Sequence, residues 1–278
     1  MTTRENNLPM AATEFAVVAA VNDDTVLKNS LMRSPEMEPD REVFIRRGCS
    51  SAGQAYNSGM KASTSDIIVF AHQDVYFPQG WFGSVARSIA AISARDPDWG
   101  VLGVFGISLS GAEAGHLYST GLRRVLGCPF EEPLEVSSLD EVVLVIRRSS
   151  GLQFDEQLPG FHLYGADICL EARRKGLKCY AISAFCVHNS NGLDQLPPAY
   201  SRAYFYMRDK WRNQLPIRTP CMAITRWGLP WFRHGLESRL ARNRKSGARC
   251  ADPAMLYQQL LKENRIESAG AAAWECVP

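Results

Sequence analysis

The chain has 278 residues, 46% of them hydrophobic, and a formal net charge of +2. That is enough to bury a substantial core as one large domain or two small ones, which sets disorder aside. Its longest apolar runs, such as FAVVAAV, fall far short of the roughly 20 residues that span a bilayer, and its N-terminal MTTRENNLPM has no signal-type apolar core, so a soluble cytoplasmic protein is expected.

Residues 15–21 predict a first strand that ends in NDD, and modest helical character follows over 25–33. REVFIRR (41–47) alternates as a second strand, and the Gly-Cys-Ser-Ser after it supplies the turn and N-cap of a helix over about 51–63. Residues 66–71 read as a third strand, 81–94 as a helix, and 99–108 as a fourth strand. This βαβαβαβ alternation argues for a parallel sheet covered by helices, with ligands bound at the carboxyl ends of the strands. After Ser108 come shorter strands, HLYSTGLRRVL and EVVLVIRR, then a loop, a helix over roughly 163–175 closed by Gly176, a strand, and a polar loop holding His188. From Leu196 onward, prolines punctuate basic, aromatic helical pieces. Eight cysteines without a C-x-x-C pair, several of them inside apolar segments, read as reduced thiols acting as small hydrophobes.

Nucleotide-loop, zincin, nucleophile-elbow and dinucleotide-binding signatures are missing. What stands out is IIVFAHQDVYF, where a buried strand releases His72, Gln73 and Asp74 as it leaves the core. One aspartate there suits a hard divalent cation that takes its other ligands from a diphosphate, while the plainer reading is a turn cap before Pro78. Asp167 lies in the first turns of a helix, where the dipole favours a carboxylate, and His188 follows an otherwise apolar strand. Each has a structural explanation, as cap and as core histidine respectively, but all three emerge where an active-site cleft would be built.

The ordered run FAVVAAVNDD, GQAYNSGMKASTSDIIVFAHQDVYFPQGW, GFHLYGADICLEARRKGLKCYAI and VHNSNG, over about residues 14–192, resembles the family 2 glycosyltransferases of GT-A fold. It is most similar to the branch in which the metal-binding D-x-D appears as H-Q-D. The resemblance implies an α/β fold of GT-A type, with a mostly parallel central sheet, helices on both faces and a C-terminal helical extension. It divides the chain into a flexible tail (1–13), a glycosyltransferase domain (14–195, its nucleotide-binding half 14–110 and acceptor half 111–195), and a basic, aromatic extension (196–278). Asn22, Asp23, Asn57, His72 and Gln73 would line the nucleotide-sugar pocket. Asp74 would hold Mg²⁺ or Mn²⁺, with His188 as a further metal or diphosphate contact. The family's E-D pair, which normally supplies the base, is absent: the motif becomes Tyr164-Gly165-Ala166-Asp167, Glu171 replaces its arginine, and Asp167 is the surviving acid. His162 is the rival base, since a neutral imidazole is competent near pH 7.

The activity so implied is inverting sugar transfer from a nucleotide-diphosphate sugar to an acceptor hydroxyl in glycan or polysaccharide biosynthesis, the acceptor being a glycan, a lipid-linked molecule or a protein. A non-catalytic nucleotide-sugar or partner-binding module competes with it, as does, more weakly, a sugar nucleotidyltransferase; VNDDTVLKNS lacks that class's phosphate loop. From Arg202 to Arg249 there are 12 Lys/Arg against two acids, a net +10 that leaves about −8 for the remainder. This segment, with Trp227, Trp231 and Phe232, suits either peripheral contact with the inner face of an anionic membrane through 202–249 or packing against the catalytic body. No nucleic-acid recognition motif accompanies it.

Overall fold

The structure, a computed structural model, describes residues 15–37, 39–192, 196–240 and 247–266, with 236–240 as backbone alone. Twelve strands form a single mixed sheet: β1 (Phe15–Val21), β2 (Val43–Arg47), β3 (Ile67–His72), β4 (Val75–Tyr76), β5 (Trp99–Gly103), β6 (Phe105–Ser108), β7 (Glu113–Ser119), β8 (Arg124–Gly127), β9 (Leu134–Leu139), β10 (Val143–Arg147), β11 (Lys178–Ala181) and β12 (Cys186–His188). Seven helices accompany them: α1 (Asp24–Asn29), α2 (Ala52–Ala62), α3 (Trp81–Arg95), α4 (Tyr164–Arg174), α5 (Pro198–Lys210), α6 (Leu229–Leu240) and α7 (Pro253–Lys262). The sheet runs β2-β1-β3-β10-β5-β11-β9-β6-β7-β12-β4, with β8 beside β7.

The α/β architecture and the C-terminal helices expected from the sequence are present, but the sheet is mixed and not mostly parallel, because later strands insert and return antiparallel. Parallel pairing holds in β2-β1-β3, in β5-β11 and in β7-β12, and the remaining neighbours are antiparallel. Strand β10 inserts antiparallel between β3 and β5, so the alternation along the chain is not the order across the sheet. The run expected as one strand over 99–108 is two, β5 and β6, and it passes at Val104 from one half of the sheet to the other. The short strands β4 and β9 carry too little apolar pattern to be read from sequence.

Period-2 burial on both faces explains β1. Val17, Ala19 and Val21 enter one core, with Trp81 and Phe82 of α3, while Val18 enters the other, with Tyr56 of α2 and Ile168 of α4. Helix α2 lies close on β1 because Gly59 faces Val18, where any Cβ would collide with the valine side chain. Gly176, at φ +79°, ends α4 in the left-handed region as expected of a C-cap glycine.

Helix α5 inserts Tyr200, Ala203, Tyr204 and Met207 into the core around α4. The two readings of the basic, aromatic tail each hold for different residues. Trp231 packs on Tyr200, Tyr204 and Phe205, whereas Trp227, Leu229 and Phe232 are 74%, 66% and 63% exposed. Residues 241–246 of that tail lie outside the described residues. Among the described residues no helix is long and apolar enough to cross a membrane. Among the described residues six cysteines are free, but Cys128 is disulfide-bonded, against the expectation of reduced thiols.

Candidate active site

The apolar run of β3 ends at Ala71; His72 closes the strand, and the turn that follows delivers Asp74 to the carboxyl edge of the sheet. Strand β4 then pairs with β12, setting His188 opposite Val75 and therefore beside Asp74. Asn189 N–H donates to the Asp74 carbonyl at 2.7 Å and locks that approach. His188 Nε2 stands 3.4 Å and His72 Nδ1 3.9 Å from Asp74 Oδ1, and the three side chains can offer ligand atoms within 4.8 Å of one another.

Asp74 is 7% exposed, yet among the described residues its Oδ1 accepts no well-aligned hydrogen bond and has only the long His188 Nε2 contact at 3.4 Å. An orphaned, buried carboxylate oxygen costs free energy unless something supplies positive charge to it. Burial would raise its carboxyl, but His188, His72 and Arg249 outweigh that and hold it well below the usual carboxylate range. For His188, burial is outweighed by the Asp74 carboxylate, and the imidazole is raised. His72 goes the other way: burial lowers it to about 4, so it is neutral at pH 7.

The tautomer of His72 follows from counting protons. Tyr164 Oη lies 2.8 Å from His72 Nε2, 3.1 Å from Tyr56 Oη and 3.0 Å from the carbonyl oxygen of Glu141. That carbonyl can only accept, so the one phenolic proton of Tyr164 goes to it, and the Tyr164 oxygen accepts from His72 Nε2–H and from Tyr56. The lone pair of His72 is thereby left on Nδ1, on the Asp74 side. Two imidazole nitrogens and a carboxylate with an unmet oxygen form a donor set that fits a divalent transition cation, with a tyrosine orienting one ligand from behind.

A cleft of about 510 Å³ opens beside this cluster, lined by Asn22, Asp24, Arg46, Arg47, Tyr56, His72, Gln73, Asp74 and Tyr164. Its walls come from the carboxyl ends of β1, β2 and β3, as the α/β rule requires. Of the expected pocket residues, Gln73 uses its side chain to tie two strand ends together: Oε1 accepts from Asn22 N–H and Asp23 N–H, and Nε2 donates to Asn22 Oδ1. Asp23 caps α1 through Thr25 and Val26. Asn57 does not line the cleft; it is 4% exposed and saturated by Phe154 and Glu156, while its neighbour Tyr56 faces the cavity. Arg46, which carries no mark in the sequence, lines the cleft with a buried Nε that has no hydrogen-bond partner among the described residues.

The two candidate bases diverge. Asp167 is not brought to the cleft: it is 1% exposed, and it accepts from Lys210 Nζ at 2.8 and 3.0 Å and from Trp211 Nε1 at 2.7 Å. His162 is not itself among the cleft-lining residues, although Phe161 before it is; its ring lies tilted against Tyr200, and burial lowers its imidazole, leaving it neutral at pH 7.

The missing acid at position 165 also has a steric cause. A Cβ on Gly165 would stand 2.5 Å from the Leu139 carbonyl oxygen and 3.1 Å from the Asp140 carbonyl carbon, so the turn carrying Asp140 and Glu141 occupies the room a longer side chain would need. Glu141 is thus held beside the start of α4, and burial, with Asp140 adding to it, pushes its carboxyl up to about 8. No local sequence signal marks Glu141, since its proximity to α4 depends on β10 inserting beside β3.

Residues 16–196 match the model of a glycosyltransferase-like family. A curated relative, ORF 6 of the ATP synthase subunits region of Fuscovulum blasticum, is 27% identical over 221 residues, 73% of this chain and 86% of its own length. Similar solved structures include GalNAc-T7 with UDP, GalNAc and Mn²⁺ (14% identity, 77% of this chain and 53% of that one, TM-score 0.48). Residues 1–349 of S. aureus TarS are also similar (14% identity, 70% and 63%, TM-score 0.45), as is the mannosyltransferase PcManGT from Pyrobaculum calidifontis with GDP-Man and Mn²⁺ (10%, 91% and 70%, TM-score 0.44). The chain spans about half the length of GalNAc-T7 and 63% of the TarS fragment. With the family match extending from β1 past His188 and over more than half of its residues, the chain belongs to the glycosyltransferase-like family.

Proposed function

We propose that the protein is a metal-dependent, inverting family 2 glycosyltransferase of the H-Q-D branch, moving a sugar from a nucleotide-diphosphate donor to an acceptor hydroxyl in glycan or polysaccharide biosynthesis. The observation that carries this reading is the buried Asp74 carboxylate, whose Oδ1, without a well-aligned hydrogen bond among the described residues, faces two imidazoles at the edge of a cleft of about 510 Å³. His72 Nδ1, Asp74 and His188 Nε2 would hold the cation; the two nitrogens favour Mn²⁺ over Mg²⁺, which prefers an all-oxygen shell. When bound, the ion supplies Lewis-acid stabilisation of charge on the departing diphosphate.

In the transfer, the bond from the anomeric carbon to the diphosphate oxygen breaks and its electron pair leaves with that oxygen, while the acceptor oxygen bonds the carbon from the opposite face. The acceptor proton passes to His162. Glu141 keeps its own proton at pH 7 and is a poor acceptor there, and Asp167 is closed off by Lys210 and Trp211.

A thermal-shift and donor-hydrolysis assay tests this. Wild-type protein should be stabilised by UDP or GDP only with Mn²⁺ and should release nucleoside diphosphate slowly from a nucleotide sugar. Asp74→Asn should lose at least about 100-fold in turnover while remaining folded. Unchanged turnover in that variant removes the metal assignment, and Mn²⁺-dependent binding without any hydrolysis favours the binding-module reading.

The exposed Trp227, Leu229 and Phe232 support a second element, peripheral docking on an anionic membrane. They adjoin Phe205, and two cations flank them, Arg226 over Trp227 and Arg208 over Phe205. Flotation with phosphatidylserine vesicles should carry the protein upward, whereas Trp227→Ser with Phe232→Ser should leave it behind. Equal flotation of both proteins discards that surface.

A further inference from the structure

The chain returns to the cleft from far along the sequence. Residues 247–250, between α6 and α7, lie across the loop that follows β12. Gly247 N–H donates to the Gly121 carbonyl at 2.9 Å, and the Gly247 carbonyl accepts from Gly192 N–H at 2.8 Å. Gly247 passes so close to the Thr120 carbonyl that no side chain fits there. Arg249 N–H donates to Asn191 Oδ1 at 3.1 Å and Cys250 N–H to Asn189 Oδ1 at 2.8 Å. Asn189 Nδ2 donates to both Ser30 and the Cys250 carbonyl. The strap ends at Asp252, which caps α7 and pairs with Arg33.

This stitching holds the strap through its backbone. The Arg249 side chain does something else: Nε donates to the Asn189 carbonyl at 3.1 Å, and Nη2 stands 3.3 Å from Asp74 Oδ2. A guanidinium is thus fixed against the same carboxylate whose other oxygen faces His72 and His188, on a side chain one-third exposed. Asp74 offers one negative charge, so a divalent cation would leave the site net positive by only one, against a diphosphate that gains a further negative charge as the sugar departs. Arg46 and Arg47 also line the cleft, but Arg249 is the guanidinium held directly against Asp74, where it can offset this imbalance, and its planar fork matches phosphate oxygens.

We propose that Arg249 is a diphosphate-binding residue, which exchanges its contact with Asp74 Oδ2 for oxygens of the donor's diphosphate when donor and cation bind. The proposal rests on the reading of the cleft as a nucleotide-sugar site.

Calorimetry on the full chain with Mn²⁺ tests it, with UDP, GDP, UMP and GMP as probes. Arg249→Gln should weaken the diphosphate that wild type binds by about tenfold or more and change the corresponding monophosphate little, with Arg249→Lys intermediate. Asn191→Ala, which loosens the strap and keeps the guanidinium, should retain diphosphate affinity. Three results would overturn the proposal: unchanged diphosphate affinity in Arg249→Gln, equal losses for mono- and diphosphate, or an Asn191→Ala loss as large as that of Arg249→Gln, which would make the arginine a structural pin. Wild-type protein that binds neither diphosphate would bring down the donor-site reading as well, whereas wild-type binding with an indifferent Arg249→Gln brings down this proposal alone.

Discussion

Asp74 and Asp167 are both aspartates under 10% exposed, both stand at the edge of a secondary-structure element, and their surroundings are opposite. Asp167 has every demand met: Lys210 bridges it to Asp155 and Glu171, Trp211 Nε1 donates to it, and Tyr206 donates to Asp155. Asp74 has neighbours of the right charge but an oxygen without a hydrogen bond. A saturated buried carboxylate stabilises the fold; one with an oxygen held only by a long contact, facing two imidazoles and an open cleft, is poised for something that arrives.

The largest test of that contrast is Lys210→Met. Removing the lysine strands the Asp167 carboxylate, of which 2% of the side-chain surface is exposed, beside two other acids. A loss of about 3–5 kcal/mol in chemical denaturation is expected, with Mn²⁺ affinity of the remaining folded protein unchanged. A loss below about 1 kcal/mol would mean that the cluster is effectively solvated and that Asp167 is freer than its contacts indicate.

The same contrast shows what the sequence could reveal. Asp74 was legible because a short apolar strand ending in His-Gln-Asp is a local pattern, and His188 because it follows an apolar run; the β4–β12 register that joins them is not local. Asp167 was visible as an acid at a helix start, but its partner Lys210 is 43 residues away, so a closed ion pair and an open base look alike in sequence. Arg249 lies 175 residues from Asp74, and in the sequence nothing separates it from the other cations of a basic segment. Gly165 registered as a lost acid, while the reason for the loss, a backbone turn pressed against it, exists only once β10 lies beside β3.

A smaller test sharpens the open side of the comparison. Tyr164→Phe removes the oxygen that fixes His72 with its proton on Nε2, and the imidazole is then free to adopt the tautomer that cannot ligate through Nδ1. Mn²⁺ affinity, read by titration followed by electron paramagnetic resonance, should fall about tenfold, the usual cost of losing an outer-shell partner. Unchanged affinity would show that the tyrosine braces the core and does not orient the ligand.

The last test, read as a slope with pH, concerns Glu141, the acid held beside the helix start at which this chain lacks the motif's E-D pair. In the folded protein the Glu141 carboxyl is raised to about 8, chiefly by burial and then by Asp140, whereas an unfolded glutamate titrates near ~4.3. Between those values the folded state binds more protons than the unfolded state, so the stability contributed by protonated Glu141 is fully present below about pH 4 and is lost as pH rises through 8. Glu141→Gln keeps the shape and removes the titration, so its denaturation midpoint should fall less than that of wild type between pH 5 and 8. If the two proteins lose stability in parallel across that range, Glu141 is ionised and solvated in the native state. It would then displace His162 as the group beside the cleft best able to take a proton from an acceptor hydroxyl.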